Sequence, residues 1–315
     1  MIKITKPKFW DYKKISLISI LFLPLSLITL LIIFLKKKLI KKKTFKIPVI
    51  CVGNIYIGGT GKTPASIVIA KELSNIGIKT AILRKFYSNH SDEHSQIKNY
   101  FNNLIICKNR AAGIKEAENK GYETVILDDG LQDYGIKKNL SIVCFHQNQL
   151  IGNGLILPSG PLRENLEALK NTNIILINGK KDKNFEEKLL KINKNLEFFY
   201  AYYKPENIDK FKNNELLALA AIANPENFFM MLEKNNLNVS EKLVYPDHYK
   251  FSKIEIQKII DKAHKKKLKL IMTEKDFFKF KELNFSQINY LKVSFQILNK
   301  ERLINKIKKI YDKIY

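Results

Sequence analysis

The chain has 315 residues, of which 45% are hydrophobic, enough for two domains or one large α/β unit with a proper core. Three cysteines, Cys51, Cys107 and Cys144, lie far apart without a C-x-x-C, which excludes a disulfide framework and a zinc site. The net charge of +25 suits a polyanion or an anionic membrane as partner. Abundant Lys, Asn and Ile beside few Arg, Gly and Pro also fit compositional drift in an AT-rich genome.

Residues 1–43 form a unit of their own. Ile15 to Leu35 (ISLISILFLPLSLITLLIIFL) carries no charge. As one helix it would be roughly 31 Å long at about 1.5 Å per residue, enough to cross a hydrocarbon core. Lys13 and Lys14 precede it; Lys36, Lys37, Lys38, Lys41, Lys42 and Lys43 follow. The denser charge places the C-terminal side in the cytoplasm, and the lysines suit anionic head groups. The run is long for a signal peptide and no A-x-A site follows it. Pro24 sits inside the run and opens the alternative of two shorter pieces lying in the interface. The expectation is an N-terminal membrane helix, spanning, re-entrant or monotopic.

From Pro48 to Lys71 the chain reads PVICVGNIYIGGTGKTPASIVIAK. A β-branched run, a glycine-rich turn and a helical segment follow one another, the context of a phosphate-binding loop. Glycines let backbone N–H groups converge on phosphate oxygens, and the helix start favours negative charge. The candidate ATP-binding residues are Tyr56, Ile57, Gly58, Gly59, Thr60, Gly61, Lys62 and Thr63. Lys62 would reach the β/γ phosphates and the Thr63 hydroxyl would sit on Mg²⁺. The strict pattern G-x-x-x-x-G-K-[ST] fails at its first glycine, which here is Tyr56.

A βα rhythm continues with strands at 80–83, 124–127, 141–145 and 173–178 and helices at 64–76 and 111–120. This predicts a doubly wound, mainly parallel sheet of the P-loop NTPase type. Gly77 and Gly121 fall where helix C-caps belong. The strand ending in Asp128-Asp129-Gly130 carries acids at its carboxyl end, where a P-loop protein keeps its Mg²⁺-side carboxylate. The same pattern is also an ordinary strand exit. A Gly/Pro-dense loop, GNGLILPSGPLRE (152–164), ends in Arg163 and Glu164, which could address phosphate and metal or form an exposed ion pair.

The last third reads as a second, smaller α/β unit: an apolar run at 216–223, a helix at 228–232, a turn with His248, a strand at 268–272 and a closing helix from Glu301. The division expected is 1–43, a P-loop core at 44–195 and a smaller domain at 196–315.

Together these motifs resemble the tetraacyldisaccharide 4'-kinase family, the lipid A 4'-kinases of the bacterial inner membrane. The resemblance is carried by VGNIYIGGTGKTP (52–64), LDDGLQDY (127–134), GNGLILPSGPLRE (152–164), AIANPENFF (221–229), PDHYKF (246–251) and MTEKDFFKF (272–280). It implies transfer of the ATP γ-phosphate to the 4'-hydroxyl of a tetraacylated glucosamine disaccharide 1-phosphate, with Mg²⁺. The lipid substrate would stay in the bilayer while the enzyme works at the anionic surface on the cytoplasmic side. By position, Lys62 and Thr63 match the P-loop pair, Asp128 and Asp129 the DDG acids, and Arg110 an arginine ahead of them. Glu164 matches the PLRE acid on the metal side. Asp92 and His248 match the family's acid/base dyad, in which an Asp oriented by His takes the proton of the sugar hydroxyl.

This sequence departs from the family where Leu83-Arg84-Lys85-Phe86-Tyr87 replaces a glycine-containing S-R-G-Y-G, and at Asp133 and Tyr249, where the family has His. Two other readings compete: another membrane-docked P-loop ATPase or kinase, and a diverged inactive copy. Nucleic acid is not an expected partner, because the lysines are spread along the chain without interleaved aromatics.

Overall fold

The computed structural model describes residues 7–12, 14–87, 91–222, 224–247, 249–281, 283–285 and 288–313. Two short helices lead: α1 (Leu17–Leu21) and α2 (Leu23–Leu39). Then follow β1 (Val49–Gly53), α3 (Lys62–Asn75), β2 (Thr80–Lys85), α4 (Ser91–Tyr100), β3 (Leu104–Cys107), α5 (Arg110–Asn119), β4 (Thr124–Asp128), β5 (Leu140–His146), β6 (Ile174–Asn178), α6 (Lys183–Leu190) and β7 (Glu197–Pro205). The remainder is β8 (Glu215–Ala220), α7 (Pro225–Lys234), β9 (Asn238–Val244), α8 (Lys253–Lys265), β10 (Lys269–Thr273), α9 (Glu274–Lys281), β11 (Asn289–Leu291), β12 (Val293–Ile297) and α10 (Lys300–Tyr311).

The chain divides into two compact units that are not consecutive in sequence. The larger takes in Lys6–Phe86, Tyr100–Tyr202 and Gln296–Tyr315; the smaller takes in Tyr87–Asn99 and Tyr203–Phe295. The larger is built on an eight-stranded sheet, order β12-β7-β6-β5-β1-β4-β2-β3. The pairs β2–β3, β2–β4, β1–β4, β1–β5, β5–β6 and β6–β7 are all parallel. Both faces are covered, which is why its strands are continuous apolar runs rather than alternating ones. Val49, Cys51, Leu83, Val125, Leu127, Val143 and Phe145 face a layer that includes Ile114 of α5 and Phe185 of α6. Helix α3 packs over β1, β2 and β4, and α10 packs against α3, with Lys300 paired to Glu72 at 2.6 Å. Gly113 marks the closest approach of α5: a Cβ there would lie 2.7 Å from Leu83 Cδ1 and 2.8 Å from Cys107 Sγ.

The strand order explains where a ligand belongs. After β1 the chain crosses to β2 on one side, fills in β3 and β4, then leaves β4 for β5 on the other side of β1. That reversal opens a crevice at the carboxyl ends of β1 and β4.

The smaller unit holds a four-stranded sheet, order β11-β10-β8-β9, with its three pairs parallel. Helices α8 and α9 cover Leu217, Leu219, Leu270 and Met272 on one face. Helix α7 covers Leu216, Ala218 and Ala220 on the other.

Of the forms open to the expected N-terminal membrane helix, the spanning one is not seen. Among the described residues no helix is long and apolar enough to cross a membrane. The apolar run breaks at Phe22, between the five residues of α1 and the 17 of α2, and Pro24 sits in the first turn of α2. Proline lacks an N–H and fits only a first turn, so it ends one helix and starts the next. The final turn of α2 is already Lys36, Lys37 and Lys38.

Nor do these helices bury their apolar sides. Ser19 and Ser26 are buried, whereas Leu17, Leu21, Leu27, Leu31 and Phe34 are 85%, 76%, 65%, 57% and 59% exposed. The serines face the larger unit: Ser26 Oγ donates to Ile156 O at 2.9 Å and contacts Ser159 Oγ at 2.8 Å. Asn153 Nδ2 donates to Ser19 Oγ at 3.1 Å.

Candidate active site

The glycine turn leaves β1 directly. Gly58 and Gly61 have φ of +123° and +91°, left-handed values that side chains resist. Asn54 ties the turn together, its Nδ2 donating to Gly58 O at 3.1 Å and to Thr60 Oγ1 at 3.2 Å. Helix α3 begins at Lys62 with no side-chain cap. Its first N–H groups and the positive end of its dipole are thus left for an anion. Burial pulls the Lys62 ammonium below its ordinary range, and Asp129 pulls the other way.

Asp128 closes β4 with no exposed surface. Its Oδ2 accepts from Thr63 Oγ1 at 3.0 Å and its Oδ1 from Ser66 Oγ at 3.2 Å. The register of β2 on β4 sets Arg84 beside Asp128. The Arg84 guanidinium forms a close ion pair with that carboxylate and also donates to Thr63 Oγ1 at 3.2 Å.

Asp129, one residue on, has φ of 59° and turns away from the strand. Arg163 NH1 donates to both of its carboxylate oxygens, at 2.9 and 3.2 Å, and Arg110 NH2 donates to its carbonyl at 2.6 Å. Burial by itself raises the Asp129 carboxyl, but the charges of Lys62 and Arg163 outweigh it and hold the group at about 2.

The Gly/Pro loop is sewn to the glycine turn. Arg163 N donates to Ile55 O at 2.7 Å and Ile57 N to Pro161 O at 2.8 Å, with Tyr56 bridged to Leu162 between them. This accounts for Tyr56 where the strict pattern wants glycine. Its ring is wholly buried, and its hydroxyl donates to Asp11 Oδ1 at 2.5 Å. Gly160 is equally constrained, since a Cβ would lie 2.2 Å from Asn153 Oδ1 and 2.4 Å from Leu155 O.

Lys62, Thr63, Asp128, Asp129 and Arg110 therefore meet at the carboxyl ends of β1 and β4. Glu164 belongs to a neighbouring cluster: Oε1 accepts from Gln132 Nε2 at 3.0 Å and Oε2 pairs with Lys37 at 2.6 Å. Asp92 lies on α4 with its side chain outside the described residues, and His248 lies outside them altogether. No sequence pattern marks Ser66, and Asn54 and Arg84 fall within motif segments without a role attached to them there. Arg84 carried one signal, for it ends the apolar part of β2 as Asp128 ends that of β4.

Thr63 and Asp128 are hard oxygen donors side by side. Mg²⁺ takes one or two such protein oxygens and completes its shell with water and phosphate, so their donor chemistry fits it, while in this structure Arg84 NH1 contacts both oxygens. No cluster of three or more His, Cys, Asp and Glu side chains occurs among the described residues.

Comparison with known proteins gives a consistent result. The family model described as LpxK, Tetraacyldisaccharide-1-P 4'-kinase, matches residues 18–312. The tetraacyldisaccharide 4'-kinase of Pelagibacter ubique is 43% identical over 317 residues, covering 99% of each chain. That of Rickettsia typhi is 32% identical over 325 residues, covering 98% of this chain and 99% of its own. The crystal structure of LpxK from Aquifex aeolicus in complex with ATP superposes with a TM-score of 0.72 at 21% identity, over 94% of this chain and all of that one. This last likeness speaks to the fold.

Proposed function

The chain belongs to the tetraacyldisaccharide-1-P 4'-kinase family, and on that premise we propose that it moves the γ-phosphoryl group of ATP to the 4'-hydroxyl of a tetraacylated disaccharide 1-phosphate, a step of lipid A biosynthesis. One observation carries the reading. Lys62, Thr63, Asp128 and Asp129 converge at one end of the sheet in a chain matched to the family from residue 18 to 312.

The geometry and the family motifs together support the following roles. The turn from Gly58 to Gly61 and the start of α3 cradle the phosphates, and Lys62 neutralises the β/γ oxygens. Thr63 and Asp128 would hold Mg²⁺, which would supply charge neutralisation to the phosphate oxygens. Glu164, the metal-side acid by family motif, lies in the neighbouring cluster with Gln132 and Lys37. Arg163 and Arg110 fix Asp129, whose negative charge steadies the Lys62 ammonium against burial. As the γ-phosphorus bonds to the 4'-oxygen, its bond to the β,γ-bridging oxygen breaks and ADP leaves. The hydroxyl proton goes to a base, and Asp92 oriented by His248 is the assignment the family motif supports.

The acceptor's acyl chains belong in a bilayer, so the reaction belongs at its surface. The outward apolar sides of α1 and α2, with lysines at their end, suit a helix pair lying in the interface of an anionic membrane. Inner-membrane placement, with both units on the cytoplasmic side where ATP is, completes the reading.

The test is transfer of labelled γ-phosphate from ATP to a tetraacyl disaccharide 1-phosphate in mixed micelles with Mg²⁺. Lys62→Ala should lower transfer by at least about 10²–10³-fold, the scale of losing one charge-stabilising group, in protein whose circular dichroism shows it still folded. ATP turnover without a labelled lipid would favour the other P-loop ATPase, and absence of nucleotide binding would favour the inactive copy.

A further inference from the structure

Helix α2 grips the Gly/Pro loop at two points on one face. Ser26 holds Ser159 at one end, as described above. Eleven residues later, three helical turns at 3.6 per turn, Lys37 reaches Glu164, with Nζ 2.6 Å from Oε2. The Glu164 side chain is 2% exposed and the Lys37 side chain 38%. A carboxylate so buried needs a partner charge. Its other hydrogen-bond partners are uncharged: Gln132 Nε2, which also donates to Asn54 O at 3.1 Å, and the Tyr134 hydroxyl; the Lys138 ammonium acts on it only through its charge. The Lys37 ammonium also lies over the Tyr134 ring, 5.1 Å from its centroid. Glu164 is bonded in sequence to Arg163, which holds Asp129. Glu164 thus joins the outward-apolar helix, through Lys37, to the segment that carries Arg163 to the phosphate side.

We propose that Lys37 is a positioning residue for phosphoryl transfer. It fixes Glu164, and through Glu164 keeps Arg163 seated on Asp129, so that α2 is a wall of the active site as well as a surface element. The proposal rests on the kinase reading above for its effect on rate, but not for its effect on the loop. Lys37 touches no reacting atom. Its loss should leave the ATP KM near wild type and lower kcat, because a displacement of about 1 Å at a reacting centre costs up to about 10²-fold.

The experiment uses the full chain in neutral detergent micelles with ATP, Mg²⁺ and the lipid acceptor. The variants are Lys37→Met, Lys37→Arg, Glu164→Gln and the double variant Lys37→Met/Glu164→Gln. Lys37→Met should lower kcat by about 10–10²-fold. Lys37→Arg, which keeps the charge, should recover to within about threefold of wild type. The double variant should be no worse than Glu164→Gln alone, as two residues acting through one contact are non-additive. Hydrogen exchange supplies a reading free of turnover: Lys37→Met and Glu164→Gln should speed exchange over the same amides of residues 157–165 and leave the smaller unit unchanged. Full additivity, a Lys37→Met enzyme within twofold of wild type, or an unchanged loop would each overturn the proposal. If wild-type protein labelled no lipid, the kinase reading would fall, and the exchange result would still decide for or against Lys37.

Discussion

At the scale of single residues, two acids side by side carry different work because their partners differ. Asp128 is wholly buried and its charge is met by Arg84, itself 4% exposed in its side chain. Breaking a buried pair by removing one partner leaves an uncompensated charge, at a cost of about 3–5 kcal/mol. Arg84→Met should therefore lower the urea midpoint of the larger unit by that equivalent, and Asp128→Asn added to it should restore part of the loss. An unchanged midpoint would mean that Arg84 is not the counter-charge.

Asp129 behaves oppositely to a lone buried acid. Its folded carboxyl sits at about 2, below the ordinary 3.8. A depressed carboxyl contributes stability that is present above its unfolded value and is lost as pH falls through the folded one. The gain, about 2 kcal/mol, should be full above pH 4 and fade between pH 4 and about 2. Asp129→Asn should be less stable than wild type at pH 6, and the two should converge near pH 2. A constant gap across that range would remove the Lys62 and Arg163 charges from the explanation.

Asp276 shows a motif residue doing structural work. It is wholly buried and accepts from Ala221 N at 2.9 Å and Thr273 Oγ1 at 2.7 Å, while Lys279 pairs with it at 2.8 Å and donates to Ala221 O. The TEKDFFK segment thus fastens α9 to the end of β8 within the smaller unit.

At the scale of elements, the sequence was legible where burial is uniform and obscure where a face matters. Strands β1, β2, β4, β5 and β6 are covered on both sides, so they appear as apolar runs that composition alone reveals. Strand β9, NVSEKLV, alternates between exposed and half-buried positions, and no run marks it. Strand β3 is four residues, LIIC, too short to stand out. At residues 15–35 the uncharged run and Pro24 leave spanning and interfacial forms open, because the run itself does not tell that Ser19 and Ser26 point inward while Leu17, Leu21, Leu27 and Leu31 point out. In the site, the Lys-Thr pair and the acids followed from strand–turn–helix order. Arg84 did not, because its function depends on a register between strands 44 residues apart in sequence. Arg163 and Glu164 leave open in sequence whether they address separate groups or form an exposed ion pair, and the fold sends them to different partners.

The inverted helix pair has a direct consequence. Leu27 and Leu31 are 65% and 57% exposed, so replacing both with Glu should leave the melting temperature within about a degree, as surface changes do. The same change removes two apolar anchors worth about 1.5–3 kcal/mol each from an interfacial helix, a loss of at least about 10²-fold in partitioning onto vesicles. Flotation with phosphatidylglycerol vesicles measures it. Equal flotation of variant and wild type would place the membrane contact elsewhere.

At the scale of the whole molecule, the charge of +25 has to be reconciled with where it is spent. Many lysines are already paired on the surface, among them Lys120 with Glu116, Lys170 with Glu167 and Lys212 with Asp209. Lys36 and Lys38 differ because they end a helix whose apolar side is open to solvent, while Lys37 between them is paired with Glu164. Salt separates the two uses of charge. Binding to duplex DNA through phosphates alone falls by about 10³–10⁵ between 50 and 200 mM salt when 6–10 contacts are made. Binding to an anionic bilayer adds burial of apolar side chains, which salt does not screen, to about 1 kcal/mol per lysine at the surface. The protein should therefore leave duplex DNA by 300 mM salt yet still float with phosphatidylglycerol vesicles, and float more weakly with neutral phosphatidylcholine. Retention on DNA at 300 mM with release from the vesicles would make the basic charge a nucleic-acid footprint. The outward leucines of α1 and α2 would then need another partner.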